Sequence, residues 1–123
     1  MMHYIRVYPD ADSESHFEDA VMEFKSVDFA PPAPPLDLSS FSQGTQFGFL
    51  RAPAGWEGDW HPTPCRQWII YLTGEIEVEV SDGEIRRIGP GSITLVEDTT
   101  GKGHRSRVVG DKEVLAVVVQ LED

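Results

Sequence analysis

Residues 55–74 read GWEGDWHPTPCRQWIIYLTG. One histidine, His61, precedes a tight turn flanked by Pro62 and Pro64. A polar Gln67 then opens the apolar run Trp68-Ile69-Ile70-Tyr71-Leu72, which stops at Gly74. An amide that leads into a buried strand needs a partner, because burying it without one costs roughly 1–3 kcal/mol. Strand parity puts Gln67, Ile69 and Tyr71 on one face and Trp68, Ile70 and Leu72 on the other. The second polar piece is His104, which closes Thr99-Thr100-Gly101-Lys102-Gly103-His104. The expectation is that His61, Gln67 and His104 converge inside a closed sheet, with Tyr71 lining the same interior. They would form a metal or ligand site, or a polar pocket whose members hydrogen-bond each other or water. The opposite face is as apolar and must be covered, by the proline-rich arm at residues 30–37 or by a second copy. A homodimer is the expectation.

Outward from this stretch the chain reads as strands and turns. Residues 75–80 (EIEVEV) alternate strictly, with Ile76, Val78 and Val80 on the buried side. Ser81-Asp82-Gly83-Glu84 is a hairpin turn, and residues 85–88 return from it. Strands follow at residues 92–97, 104–109 and 113–121, the last expected to be the most buried, with glycine-bearing turns between them. Upstream, residues 45–52 (TQFGFLRA) alternate as a strand, and residues 4–8 (YIRVY) make an N-terminal one. The polar stretch at residues 10–19 (DADSESHFED) reads as a loop, with His16 a solvated surface histidine. Residues 20–29 fit a strand or a short helix. Four prolines in residues 30–37 (APPAPPLD) dictate a stiff, extended connector. Short strands, turn signals and almost no helix predict an all-β antiparallel sandwich or barrel.

At 123 residues the chain reads as one domain, with residues 1–44 a strand and arm and residues 45–123 the barrel body. Cys65 is the only cysteine, so no intramolecular disulfide can form. It reads as a half-buried filler beside the site, although a thiolate is the sharper alternative. The net charge of −11 argues against nucleic acid and anionic membranes as partners. No apolar run approaches the ~20 residues of a membrane span, and no secretory h-region opens the sequence, so a cytoplasmic location is expected. Gly101-Lys102-Gly103 lacks the spacing of a phosphate loop and runs into a strand.

The spacing Gly55-x5-His61-x-Thr63-x3-Gln67-x6-Gly74 resembles the first cupin motif, G-x5-H-x-H-x3-E-x6-G. The second cupin motif, G-x5-P-x-G-x2-H-x3-N, is looser here. Gly91 is followed by seven residues and then Thr99-x-Gly101-x2-His104-x3-Val108, without the proline and asparagine. The resemblance implies a cupin-type jelly-roll β-barrel whose inward residues hold a divalent transition metal: iron, manganese, nickel or zinc. Carried over, His61 and His104 match histidine ligands and Gln67 the glutamate, while Thr63 stands where a second histidine would be. Gln67 keeps an oxygen and loses the charge, so the set is weaker than a full one. Two functions follow from it. One is a metal-dependent dioxygenase, isomerase or lyase acting on a small organic molecule, with Tyr71 as acid/base partner. The other is a non-catalytic barrel that binds or senses a small molecule without metal. The fold hosts both.

Overall fold

A computed structural model describes residues 2–122. Among them there are twelve strands and no helix. In chain order these are β1 (Met2–Pro9), β2 (Ser15–Met22), β3 (Lys25–Val27), β4 (Leu36–Leu38), β5 (Gly44–Ala52) and β6 (Glu57–His61). They continue with β7 (Gln67–Thr73), β8 (Glu75–Val80), β9 (Ile85–Ile88), β10 (Ile93–Val96), β11 (His104–Val109) and β12 (Val114–Leu121). A six-stranded sheet runs β2-β1-β10-β7-β12-β5 and a four-stranded one β6-β11-β8-β9, with β3 and β4 forming a separate ribbon. Every pairing is antiparallel except β1 with β10. The two sheets face each other across one core, in which Val7, Tyr71, Val96, Val114 and Ala116 of the first meet Ile76, Val78, Val80, Ile88 and Val108 of the second. This is a jelly-roll β-barrel.

The alternation of residues 75–80 behaves as read, with Ile76, Val78 and Val80 buried. Three local readings need correction. Residues 15–19 are not loop but the first half of β2, where Ser15 and Phe17 point in and are buried. The acidic side chains of Glu18 and Asp19 that follow face solvent, and pairing with β1 along the whole strand overrides their low strand propensity. The proline segment is not an extended connector. Its Ala30-Pro31-Pro32-Ala33 start closes a turn through the Ala33 amide bonded to the Ala30 carbonyl, at the tip of the β3–β4 ribbon. Nor is β12 the most buried strand: only Val114 and Ala116 are fully enclosed, because its outer side chains lie on the face turned away from the core.

The two outer faces differ in kind. On the four-stranded sheet, cross-strand ion pairs join Arg105 to Glu79 and Arg107 to Glu77. On the six-stranded sheet, Tyr4, Trp68, Ile70, Ile93 and Val119 turn outward to line a groove beneath residues 39–42.

His16 is not a free surface histidine. Its Nε2 lies 2.7 Å from Asp10 Oδ2 in the β1–β2 turn and its Nδ1 2.7 Å from Asp82 Oδ2 in the β8–β9 turn, so it clasps one sheet to the other. Two carboxylates facing two ring nitrogens favour the imidazolium. The hydrogen bond to Asp10, then that to Asp82, raise the His16 pKa, and the same bond to His16 is the main cause lowering that of Asp10. A raised folded-state pKa means the clasp stabilises fully below the unfolded value of about 6.5 and fades as pH rises through the folded one. The melting temperature of His16→Gln is therefore expected to lie below wild type near pH 6 and to converge on it in alkaline buffer. A gap that is constant with pH would rule out a charged clasp.

Candidate functional site

His61 ends β6 and His104 begins β11, and the two residues are direct partners in the ladder. Their rings lie 4.9 Å apart between centroids, inclined at 58°. The approach depends on Gly103, whose backbone is left-handed (φ 76°) and against which the His61–Pro62 backbone packs so tightly that a Cβ there would sit 2.0 Å from the His61 carbonyl oxygen. Gly101, also left-handed, packs in the same way on Ser13. The Gly-Lys-Gly sequence is thus a close-approach turn.

Each imidazole is held by Nδ1. His61 donates from Nδ1 to the Asp59 carbonyl at 2.8 Å. His104 Nδ1 lies 2.6 Å from Oδ2 of Asp98, a fully buried side chain. Carbonyls accept only, as do ionised carboxylates, so Nδ1 is the protonated nitrogen facing each of these partners, and in the neutral imidazole the lone pair is then on Nε2. Among the described residues no protein group hydrogen-bonds either Nε2. Asp98 Oδ1 has no hydrogen-bond partner among the described residues. The Asp98 carbonyl accepts from the Thr63 amide at 3.1 Å, which ties the loop before β11 to the turn after β6.

Both histidines line a cavity of about 270 Å³ between the sheets, but only His104 is half-buried; His61, expected inside the barrel, is exposed to solvent because it stands at the end of β6. The cavity walls are Ile69, Ile76, Val78, Ile88 and Val96. Its polar members include Thr63, Gln67, Tyr71, Thr94 and Ser106; Arg51 also borders it, with its side chain exposed and paired with Glu113. Gln67 and Tyr71 therefore face inward as parity required. Gln67 does not bridge the imidazoles. Its Oε1 accepts from Gln120 Nε2 at 3.2 Å, and Gln120 in turn accepts from Gln46, a carboxamide chain across β7, β12 and β5. Tyr71 is buried, and burial, opposed by a hydrogen bond with Thr94, raises its pKa to about 12. At neutral pH it is a hydrogen-bond donor and not a base. The Thr63 hydroxyl donates to the Cys65 carbonyl and is not free for a ligand. Cys65 is half-buried and unpaired. Arg66 pairs with Glu97, which also takes Arg6. Asp98 is the member that the sequence did not disclose. The one available signal was a pair of acids, Glu97 and Asp98, after the apolar strand Ile93–Val96, and local pattern does not say that the second turns inward.

Against a metal, the donor set is short. Two imidazole nitrogens are available, the Gln67 oxygen is already engaged, and among the described residues no three of His, Cys, Asp and Glu cluster to hold an ion. That is one strong ligand fewer than a three-ligand catalytic centre.

No family model matches the sequence, and no curated protein matches it. Solved structures do. The cupin domain of Cnp3 from Schizosaccharomyces pombe aligns over 99% of this chain and 83% of its own, at 16% identity and a TM-score of 0.54. Protein NMB1881 from Neisseria meningitidis covers 81% and 84% at 17% identity, with a TM-score of 0.48. A putative ethanolamine utilization protein Q from Salmonella typhimurium covers 98% and 96% at 16% identity, with a TM-score of 0.39. The two-sheet topology, the paired histidines at one end of the barrel and the overlap with the Cnp3 domain together make this chain a cupin-fold protein.

Proposed function

We propose that the barrel binds a small organic molecule with an apolar body and a hydroxyl or N–H head. The observation that carries this reading is the pair of imidazoles, 4.9 Å apart and, among the described residues, with no protein partner on either Nε2, lining a cavity with apolar walls. A hydroxyl head donates its one hydrogen bond to one of these acceptors and leaves the other to water, while the body replaces water against Ile69, Ile76 and Val96. A cavity of this size takes on the order of ten non-hydrogen atoms. Binding without chemistry fits a Tyr71 held protonated and an incomplete ligand set.

Thermal melts with phenol, benzoate and toluene test the idea. Phenol is expected to raise the melting temperature most, since it alone joins an apolar ring to a neutral donor, and a ligand at 100 times its Kd stabilises by about 2.7 kcal/mol. His61→Ala and His104→Ala should each remove that shift. Equal shifts from toluene and phenol, or none from either, would sink the proposal.

A divalent metal on the two Nε2 atoms is the second reading. It is favoured by the Asp98 carboxylate behind His104, an arrangement that orients metal-binding imidazoles. Elemental analysis of protein purified without added metal decides between them. If the metal reading holds, His61→Ala and His104→Ala lose metal together and His16→Ala does not. Less than about 0.1 equivalent in wild type, with no thermal gain from nickel, iron or zinc, rejects it.

A further inference from the structure

Building on the binding reading above, we infer that Trp56 sets which ligands the barrel accepts: its indole is an aromatic wall at the cavity mouth, and the ligand body that lies against it is a flat aromatic ring. The exposed residues around the cavity are Leu50, Arg51, Trp56, His61 and Pro64, all between positions 50 and 64. β5 and β6 are end strands of their two sheets and do not pair with each other. The cavity therefore reaches solvent along the seam between these edges, and Trp56 stands at the turn that joins them.

The indole is placed by its surroundings. The Trp56 amide donates to the Pro53 carbonyl at 3.0 Å, and its own carbonyl accepts from the Val108 amide at 2.9 Å, so the backbone is tied on both sides. The ring then lies on Gly58. A Cβ added there would meet three ring carbons of Trp56, at 2.5, 3.0 and 3.3 Å, as its nearest neighbours. Gly58 is not left-handed, so its backbone conformation does not call for glycine. A glycine inside a strand marks the close approach of another group, and here that group is the indole. Gly58 is the ladder partner of Ser106, and the next inward residue along β11 is His104, roughly 7 Å away by strand rise. The space between the seated indole and the His104 imidazole is thus the length of one six-membered ring with its hydroxyl. Two aromatic rings in contact gain more than their buried area alone provides, which selects a flat ring over a saturated one.

Dissociation constants of phenol and cyclohexanol test this, since each has one six-membered ring and one hydroxyl and only phenol is aromatic. Wild type is expected to prefer phenol. Trp56→Leu should lose roughly two- to ten-fold of that preference, the range an aromatic pair supplies, while Trp56→Phe keeps most of it. Gly58→Ala should act as Trp56→Leu does, because the new Cβ displaces the indole. The displaced atoms are the far end of a side chain, so this variant keeps its fold and decides the matter if Trp56→Leu does not fold. A phenol preference unchanged in these variants overturns the inference and leaves the binding reading standing. A wild type that binds neither alcohol overturns both.

Discussion

Gly103→Ala is expected to cost several times more stability than Gly83→Ala, and to destroy the paired histidines with it. Both glycines have left-handed backbones, so both substitutions carry the strain of an L-residue there, about 1–2 kcal/mol. They differ in what the new Cβ meets. At Gly83 nothing lies within 4 Å. At Gly103 the atoms in the way are the His61 oxygen at 2.0 Å, the His61 carbon at 2.3 Å and the Pro62 nitrogen at 2.4 Å. Those are main-chain atoms, and no rotamer change relieves them. Relief requires β6 to move off β11, which separates the two imidazoles and strains the buried bond from Ser15 Oγ to the Gly103 carbonyl. Overpacking of this kind adds about 1–3 kcal/mol or more, a large share of the roughly 5–15 kcal/mol that holds a domain together. Urea midpoints of the two variants, measured side by side, check this. Equal losses would mean that the close approach does not exist.

What the sequence disclosed follows from which signals are local. The alternation of residues 75–80, the Asp-Gly turn after it and the prolines around His61 act over a few residues and have one physical reading each. They were enough for an all-β barrel, and strand parity was enough to turn Gln67 and Tyr71 inward. β2 was not legible, because its acidic residues suit a loop and only the partner strand β1 makes them a strand. β6 was hidden too: Glu57–His61 alternates weakly and is defined by its pairing with β11, far along the chain. Hydrogen-bond partners are set by tertiary position, so no spacing rule could say that Gln67 would pair with Gln120 instead of an imidazole, or that Asp98 would stand behind His104.

Asp98→Ala and Asp98→Asn are expected to separate stability from site chemistry. In wild type the Asp98 carboxylate accepts the His104 Nδ1 proton and leaves Nε2 bare toward the cavity. Alanine removes the acceptor and strands a donor on a ring that is only 14% exposed, at a cost of about 1.5–3 kcal/mol. For a chain of this length that is a fall in melting temperature of about 5–10 °C. Asparagine keeps the volume and can present its NH₂ to Nδ1, which moves the ring proton to Nε2 and turns an acceptor into a donor. The asparagine variant should therefore lose less stability than the alanine one and yet lose the phenol response, since its cavity now offers a donor where a hydroxyl head needs an acceptor. Nitrogen-15 spectra of the His104 ring give the tautomer directly, and thermal melts with phenol give the binding. If the Asn variant keeps the proton on Nδ1 and still binds phenol as wild type does, Asp98 holds the loop only and has no part in setting which face of the imidazole meets the ligand.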